Sequence, residues 1–149
     1  MIYVDKPKDF KPKFEISFCI CTYNDSLLFL QRQDHKPQGN QWGVPAGKIE
    51  NSETPVQGAK RELVEETGID LPESHFNFIE KVYDKFPTLG FIVHIFHVRL
   101  SERMTIKINP DEHKVFKWVT LEEALTMDYM QDVDELLKLA FKKITVTIN

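Results

Sequence analysis

Four glutamates and one arginine crowd a short stretch of this chain: Glu53, Arg61, Glu62, Glu65 and Glu66, with Gly47 shortly before them. The stretch carries its own helix punctuation. Thr54 can accept the first free N–H groups, Pro55 suits the first helical position, Gln57 completes a capping box, and Gly68 stands where a left-handed residue ends a helix. A helix over 55–67 is predicted. On a 100° wheel with Glu62 at zero, Glu66 falls at about 40° and Glu65 at about −60°. Val56, Ala59 and Leu63 form the neighbouring apolar face, so three acids project together from an anchored helix. Like charges three and four apart cost about 0.2–0.5 kcal/mol per pair; Arg61, at about −100°, can offset part of this, and Lys60 points away. One reading is a solvated acidic face, the common use of a charge run. The other is a site for a divalent cation. Carboxylates with no Cys or His nearby in sequence select a hard ion, Mg²⁺ or Mn²⁺, rather than zinc. Gly47 favours the second reading, because a missing side chain lets backbone approach an ion or ligand. Taken alone it also fits a plain turn.

The full spacing is more specific. Gly47, five residues, Glu53, seven residues, Arg61-Glu62-Leu63, one residue, Glu65-Glu66, one residue, Gly68-Ile69 matches the Nudix box without a gap. Seven fixed identities at about 7% usage each arise by chance on the order of 10⁻⁸ per start position. The flanks Leu28–Arg32, Trp42–Gly47 and Asp111-Glu-His with Trp118-Val-Thr resemble those of MutT-like members, with Ala46 where the flank is often Gly. This resemblance implies a hydrolase acting on a nucleoside diphosphate linked to another moiety, with Mg²⁺ or Mn²⁺. It also implies roles. The Gly47 carbonyl, Glu65 and Glu66 would touch metal, and Glu62 would be a ligand or the base that activates water. Arg61 and Glu53 would pair to hold the loop against the helix. A glutamate in a later loop, here Glu112, would supply a further ligand or the base. Arg32 would contact a phosphate, its bland alternative being a surface arginine.

The chemistry suits this inventory. The oxygens of a diphosphate repel a nucleophile; cations bridging them reduce that repulsion and orient water. A carboxylate beside the water can take its proton, typically worth 10²–10⁴-fold.

The elements that must position these residues follow from the patterning. Residues 14–22 and 27–32 read as a hairpin, and 33–43, with Pro37, Gly39 and Gly43, as a loop. Residues 76–86 and 89–100 read as strands joined by 87–88. Tyr83, Phe86 and Phe91 flank that turn and offer flat faces for stacking a base, the alternative being core packing, which suits Phe91 best. His94 and His97 fall on opposite strand faces. Short strands are expected at 105–108 and 114–119. Thr120 and Glu123 form a second capping box opening a helix that breaks near 127–128 and resumes to 142. The expected class is α+β, and the resemblance makes it a Nudix-type α/β/α sandwich with a mixed sheet between helices. The 149 residues read as one domain, with 1–13 a loose arm that Ile2 and Tyr3 pin in part.

Composition narrows the partners. Nineteen basic against 23 acidic residues give a net charge of −4, which argues against general nucleic-acid binding and against an RNA-processing groove. The longest apolar run, 91–96, is far below the ~20 residues of a membrane span. With no apolar leader, and Cys19 and Cys21 alternating as buried free thiols, a cytoplasmic protein is expected, monomeric or homodimeric. The leading substrate is a nucleoside triphosphate. ADP-ribose, a nucleotide sugar or a dinucleoside polyphosphate are the alternatives, and a non-catalytic nucleotide sensor is the reading from a different class.

Overall fold

The computed structural model describes residues 1–87 and 89–148, with side chains described through 144; Thr88, in the expected 87–88 connection, lies outside the described residues. In chain order the strands are β1 Ile2–Tyr3, β2 Phe14–Tyr23, β3 Ser26–Arg32, β4 Trp42–Gly43, β5 Ala46–Lys48, β6 Asn77–Lys85, β7 Gly90–Leu100 and β8 His113–Thr120. The helices are α1 Pro55–Thr67, α2 Leu121–Ala124 and α3 Val133–Ile148. All eight strands join one sheet in the order β1-β6-β7-β2-β3-β4, with β5 pairing β2 and β8 pairing β3. β2 and β7 run parallel over the whole of β2, and the other pairings are antiparallel. A parallel neighbour needs a long crossover, and α1 lies within it.

Strand alternation sends residues to opposite faces. Phe18, Ile20, Val93 and Ile95 pack with Leu136, Leu137 and Ala140 of α3 on one side. Cys19, Cys21, Phe96 and Val98 pack with Ala59 and Leu63 of α1 on the other. The sheet is therefore mixed and covered by a helix on each face. Its two central strands are apolar almost throughout, because neither face meets water. Both cysteines are free and buried; burial raises both thiols, Cys21 to about 12.

The feature that makes room for a site is the β2–β3 hairpin, which pairs only at Thr22–Leu27 and Tyr23–Ser26 before splaying. Residues 42–48 fill the gap: β4 pairs Leu30 and Gln31, and β5 pairs 16–18 of β2. Helix α1 begins soon after β5. Its ends are those the sequence specifies: Thr54 accepts from the Gln57 N–H, Gln57 returns a bond to the Thr54 N–H, and Gly68 sits at φ 78°.

One expectation changes and two are refined. Residues 105–108 form no strand; Met104, Ile106 and Ile108 instead pack on the α1-side core, and the Lys107 N–H donates to the Thr67 carbonyl at 2.8 Å. Their apolar side chains find a helix end to cover instead of a strand to pair with. Residues 1–13 are mostly exposed and pinned at points: Ile2 and Tyr3, the expected pins, form β1 against β6, Phe10 is buried against Gly90, and the Lys13 N–H donates to the Gly90 carbonyl at 2.8 Å. A two-residue strand and one aromatic pin are too short to show as periodicity. Phe91, read as core, is only partly buried. Among the described residues, no helix is long and apolar enough to cross a membrane.

Candidate active site

Gly47 sits in β5, opposite Ser17 of β2, with its backbone against the Glu62 side chain. A Cβ built on Gly47 would lie 2.2 Å from Cδ of Glu62, a separation real atoms do not adopt. Glycine is therefore required here by space; its φ is not in the left-handed region. The loop after β5 is fastened to α1 by Arg61. Its Nε donates to Glu53 Oε2 at 2.7 Å and its Nη2 to Glu53 Oε1 at 3.0 Å, a two-pronged pair. Nη2 also reaches the Lys48 carbonyl at 3.0 Å, and Nη1 donates to Glu62 at 2.9 Å and Glu65 at 3.2 Å. Glu53 in turn accepts the Glu50 N–H at 2.9 Å, closing the loop on itself. One guanidinium thus fixes both the loop and the Glu62 carboxylate. The bond to Glu53 holds Arg61 above its usual range and Glu53 below its own.

The carboxylates of α1 are not equivalent. Glu65 is 53% exposed and faces Arg61. Glu62 is 14% exposed, and burial raises its pKa against the pull of Arg61. Glu66 is 4% exposed, with Oε2 accepting the Ala46 N–H at 2.9 Å. Burial, then the neighbouring charge of Glu62, pushes Glu66 well above the carboxylate range; Arg32 acts in the opposite direction. Arg32 ends β3, and its Nε donates to the Pro37 carbonyl at 2.9 Å.

From the far side of the sheet edge come Glu112 and His113. A carboxylate oxygen of Glu66, one of Glu112 and a ring nitrogen of His113 all lie within 4.8 Å of one another. Glu65 is not in this group. The Gln33 N–H donates to the Glu112 carbonyl at 2.9 Å, which ties the loop end to the chain leaving β3. His113 is 4% exposed, and burial lowers its pKa to about 4. The sequence reading of an acidic cluster with no histidine nearby is thereby corrected. His113 is 47 positions from Glu66 in the chain, and only the pairing of β8 with β3 brings it in.

These residues fit a divalent cation. The Gly47 cradle leaves no room for a methyl group, Glu66 is a buried carboxylate whose hydrogen bond comes from the neutral Ala46 N–H, and the donors are mainly hard oxygens. Glu66, Glu112 and His113 form the group that could hold it, with Glu62 one helical turn from Glu66 but outside that group.

On the α3 side of the sheet lies a cavity of about 720 Å³ whose walls include Phe14, Phe86, Phe91, Ala46, Lys48 and Asp84. Phe14 and Phe91 stack at 5.2 Å with planes 8° apart, Phe86 tilts against Phe91 at 5.5 Å, and the Lys48 ammonium lies 4.4 Å from the Phe14 ring centre. Phe86 is thus on the cavity wall. Tyr83 is not: strand parity turns it the other way, and its ring packs edge-on against Phe10 at 5.3 Å. Phe91, a stacking candidate in the sequence, is a wall residue too, and Phe14 is one that the sequence did not single out, since a strand aromatic beside a cavity looks like any core aromatic. His94 and His97 bond separately, to Glu15 and Thr22, each at 2.7 Å.

The family model for the NUDIX domain matches residues 13–139, which include every one of these groups. The chain belongs to the Nudix family. This NUDIX domain is 32% identical over 126 residues to the ADPR-responsive transcriptional repressor NtrR of Acinetobacter baylyi, covering 79% of this chain and 47% of the repressor. It is 36% identical over 78 residues to an 8-oxo-dGTP diphosphatase of Proteus vulgaris, covering 50% of this chain and 68% of that enzyme. The chain thus spans about half the length of the repressor it matches. The fold is shared with the Nudix domain of Shewanella oneidensis NrtR complexed with ADP ribose. There the TM-score is 0.76 at 21% identity, over 94% of each chain. It is shared equally with a MutT protein from Methanosarcina mazei, at TM-score 0.73 and 21% identity, over 93% of this chain and 98% of that one.

Proposed function

We propose that this domain is a pyrophosphohydrolase that uses Mg²⁺ or Mn²⁺ to cut a diphosphate bond within a nucleotide. The leading substrate class is a nucleoside triphosphate, giving monophosphate and pyrophosphate. One observation carries the reading. The three residues of β5 serve both halves of such a site: Gly47 lies against Glu62 of the carboxylate cluster, while Ala46 and Lys48 line the aromatic cavity. A nucleotide with its base in the cavity would carry its phosphates across β5 to reach the carboxylates, which lie on the opposite face of that strand.

Phe14, Phe86 and Phe91 offer the flat faces a base stacks on. Lys48 and Arg32 supply positive charge toward the phosphates. When bound, the cation screens the phosphate oxygens and orients the attacking water. Glu62 takes a proton from that water as its oxygen forms a new bond to the α- or β-phosphorus. The α–β bridging P–O bond breaks: attack at the α-phosphorus expels pyrophosphate, and attack at the β-phosphorus expels the nucleoside monophosphate. Burial that favours a protonated Glu62 also makes it a better base than an exposed carboxylate, and its bond to Arg61 keeps it aimed. Glu112 stands as the alternative base.

A second reading, recognition of ADP-ribose, is favoured by the similarity to the ADPR-responsive repressor. Retention of all four box glutamates supports turnover over sensing alone. The deciding experiment is a screen of nucleoside triphosphates and ADP-ribose with Mg²⁺ or Mn²⁺, run in ¹⁸O water with mass spectrometry of both products. Monophosphate plus pyrophosphate, abolished by EDTA, is expected. Diphosphate plus orthophosphate, or turnover undiminished in excess chelator, would overturn the proposal.

A further inference from the structure

Within the Glu66–Glu112–His113 group the histidine is the member whose chemistry is unaccounted for. It is 96% buried, and its Nδ1 has no hydrogen-bond partner. A buried polar atom left unsatisfied costs about 1–3 kcal/mol, so such an atom in a well-packed site asks for a partner. The ring has little freedom to seek one elsewhere. The His113 N–H donates to the Asn109 carbonyl at 2.9 Å, and the His113 carbonyl accepts from Gln33 Nε2 at 3.3 Å. Its register partner across the sheet is Arg32, next to an irregularity between Gln31 and Arg32. The backbone on both sides of the ring is therefore held, and a ring nitrogen is held within 4.8 Å of two carboxylate oxygens. Donors about 2.0–2.2 Å from a transition metal stand no more than about 4.4 Å apart, so atoms within 4.8 Å of one another close in by at least a few tenths of an ångström to share one ion.

We propose that His113 supplies an imidazole nitrogen to the cation held by Glu66 and Glu112, so that the centre is mixed nitrogen–oxygen and not carboxylate alone. This rests on the reading of the cluster as a cation site and adds a ligand to it. The consequence is a change in selectivity. Imidazole suits Mn²⁺ and the later first-row ions better than Mg²⁺, whose bonding is almost entirely to oxygen. Relative to an all-oxygen site, this one should favour Mn²⁺, Co²⁺ or Zn²⁺ over Mg²⁺. The bonds of the Gln33 side chain and the Asn109 carbonyl to the His113 backbone hold the chain that carries this ligand.

Pulsed EPR of the full chain loaded with one equivalent of Mn²⁺ tests this without any substrate. The expected result is a ¹⁴N modulation from a directly bound nitrogen, converted to a ¹⁵N pattern on histidine labelling. It should be absent in a folded His113→Gln variant, which should bind Mn²⁺ at least about tenfold more weakly. Bound Mn²⁺ with no nitrogen modulation in the wild type, or modulation that persists in folded His113→Gln, would overturn the histidine ligand and leave the pyrophosphohydrolase reading standing. Wild-type protein that binds no Mn²⁺ at all would overturn both. Should His113→Gln fail to fold, imidazole ¹⁵N–¹H correlation spectra of the wild type during Zn²⁺ titration serve instead. One buried ring nitrogen must shift in step with the first equivalent, and its failure to move overturns the proposal.

Discussion

Replacing Gly47 by Ala puts the geometry of the site at risk while sparing the fold. The added methyl would stand 2.2 Å from Cδ and Oε1 of Glu62 and 2.6 Å from Oε2. Ordinary contact needs about 3.5–4.0 Å, so the carboxylate must retreat by more than 1 Å. The retreat is feasible, because the atoms met are the far end of a flexible side chain and not backbone. It stretches the bond from Arg61, now 2.9 Å. A misplacement of about 1 Å in catalytic geometry costs on the order of 10²-fold. Stability should hardly change, since Gly47 has no left-handed φ and Gly→Ala removes unfolded-state entropy worth about 0.4–1 kcal/mol. Gly47→Ala should therefore melt within about 3 °C of wild type while losing about 10²-fold or more in kcat with Mg²⁺ and a nucleoside triphosphate. The assay is released pyrophosphate alongside a thermal melt of the same sample. Full activity with an unchanged melt would refute the claim that the Gly47–Glu62 approach is functional. A fall in melting temperature of ten degrees or more would show that the glycine serves the fold.

Arg61→Ala removes the two-pronged bond to Glu53 and strands Glu62; a loss of about 2 kcal/mol, or roughly 4–8 °C in Tm, together with lower kcat is expected, and calorimetry with an activity assay checks both. Glu62→Gln should lose about 10²–10⁴ in kcat and Glu112→Gln less; the reverse order would assign the base to Glu112. Phe86→Ala should raise KM while Tyr83→Ala leaves it unchanged, since only Phe86 reaches the cavity wall; equal effects in steady-state kinetics would contradict this. Asp84 is buried, and desolvation first, then Asp132, raises its pKa from 3.8 to about 7, against the Met1 amine 3.3 Å away. A raised folded pKa contributes stability that is full below the unfolded value and lost as pH climbs through the folded one. Wild type should therefore lose stability relative to Asp84→Asn between about pH 4 and 7, by up to about 4 kcal/mol; denaturant melts that keep a constant difference across this window would show that Asp84 is ionised throughout.

The sequence alone determined the helix that carries the site. Thr54, Pro55, Gln57 and Gly68 act within a few residues of one another, so the bounds of α1 and the side-by-side placement of Glu62 and Glu66 needed no tertiary information. The second capping box at Thr120 and Glu123 is legible for the same reason. The mixed sheet between helices followed from the resemblance carried by the box, and alternation along 14–22 and 91–98 already divided the strand residues between two faces. Tertiary structure decided which side chains meet across the sheet. β8 pairing with β3 brought His113 to Glu66, a contact with no local signal. Strand parity at β6 put Phe86 on the cavity and Tyr83 against Phe10, and the residues 105–108 found a helix end in place of a strand. Local hydrogen bonds and periodicity depend on neighbours in the chain and can be read along it. Register, strand pairing and the burial of a lone histidine depend on contacts dozens of residues apart, which one sequence does not spell out.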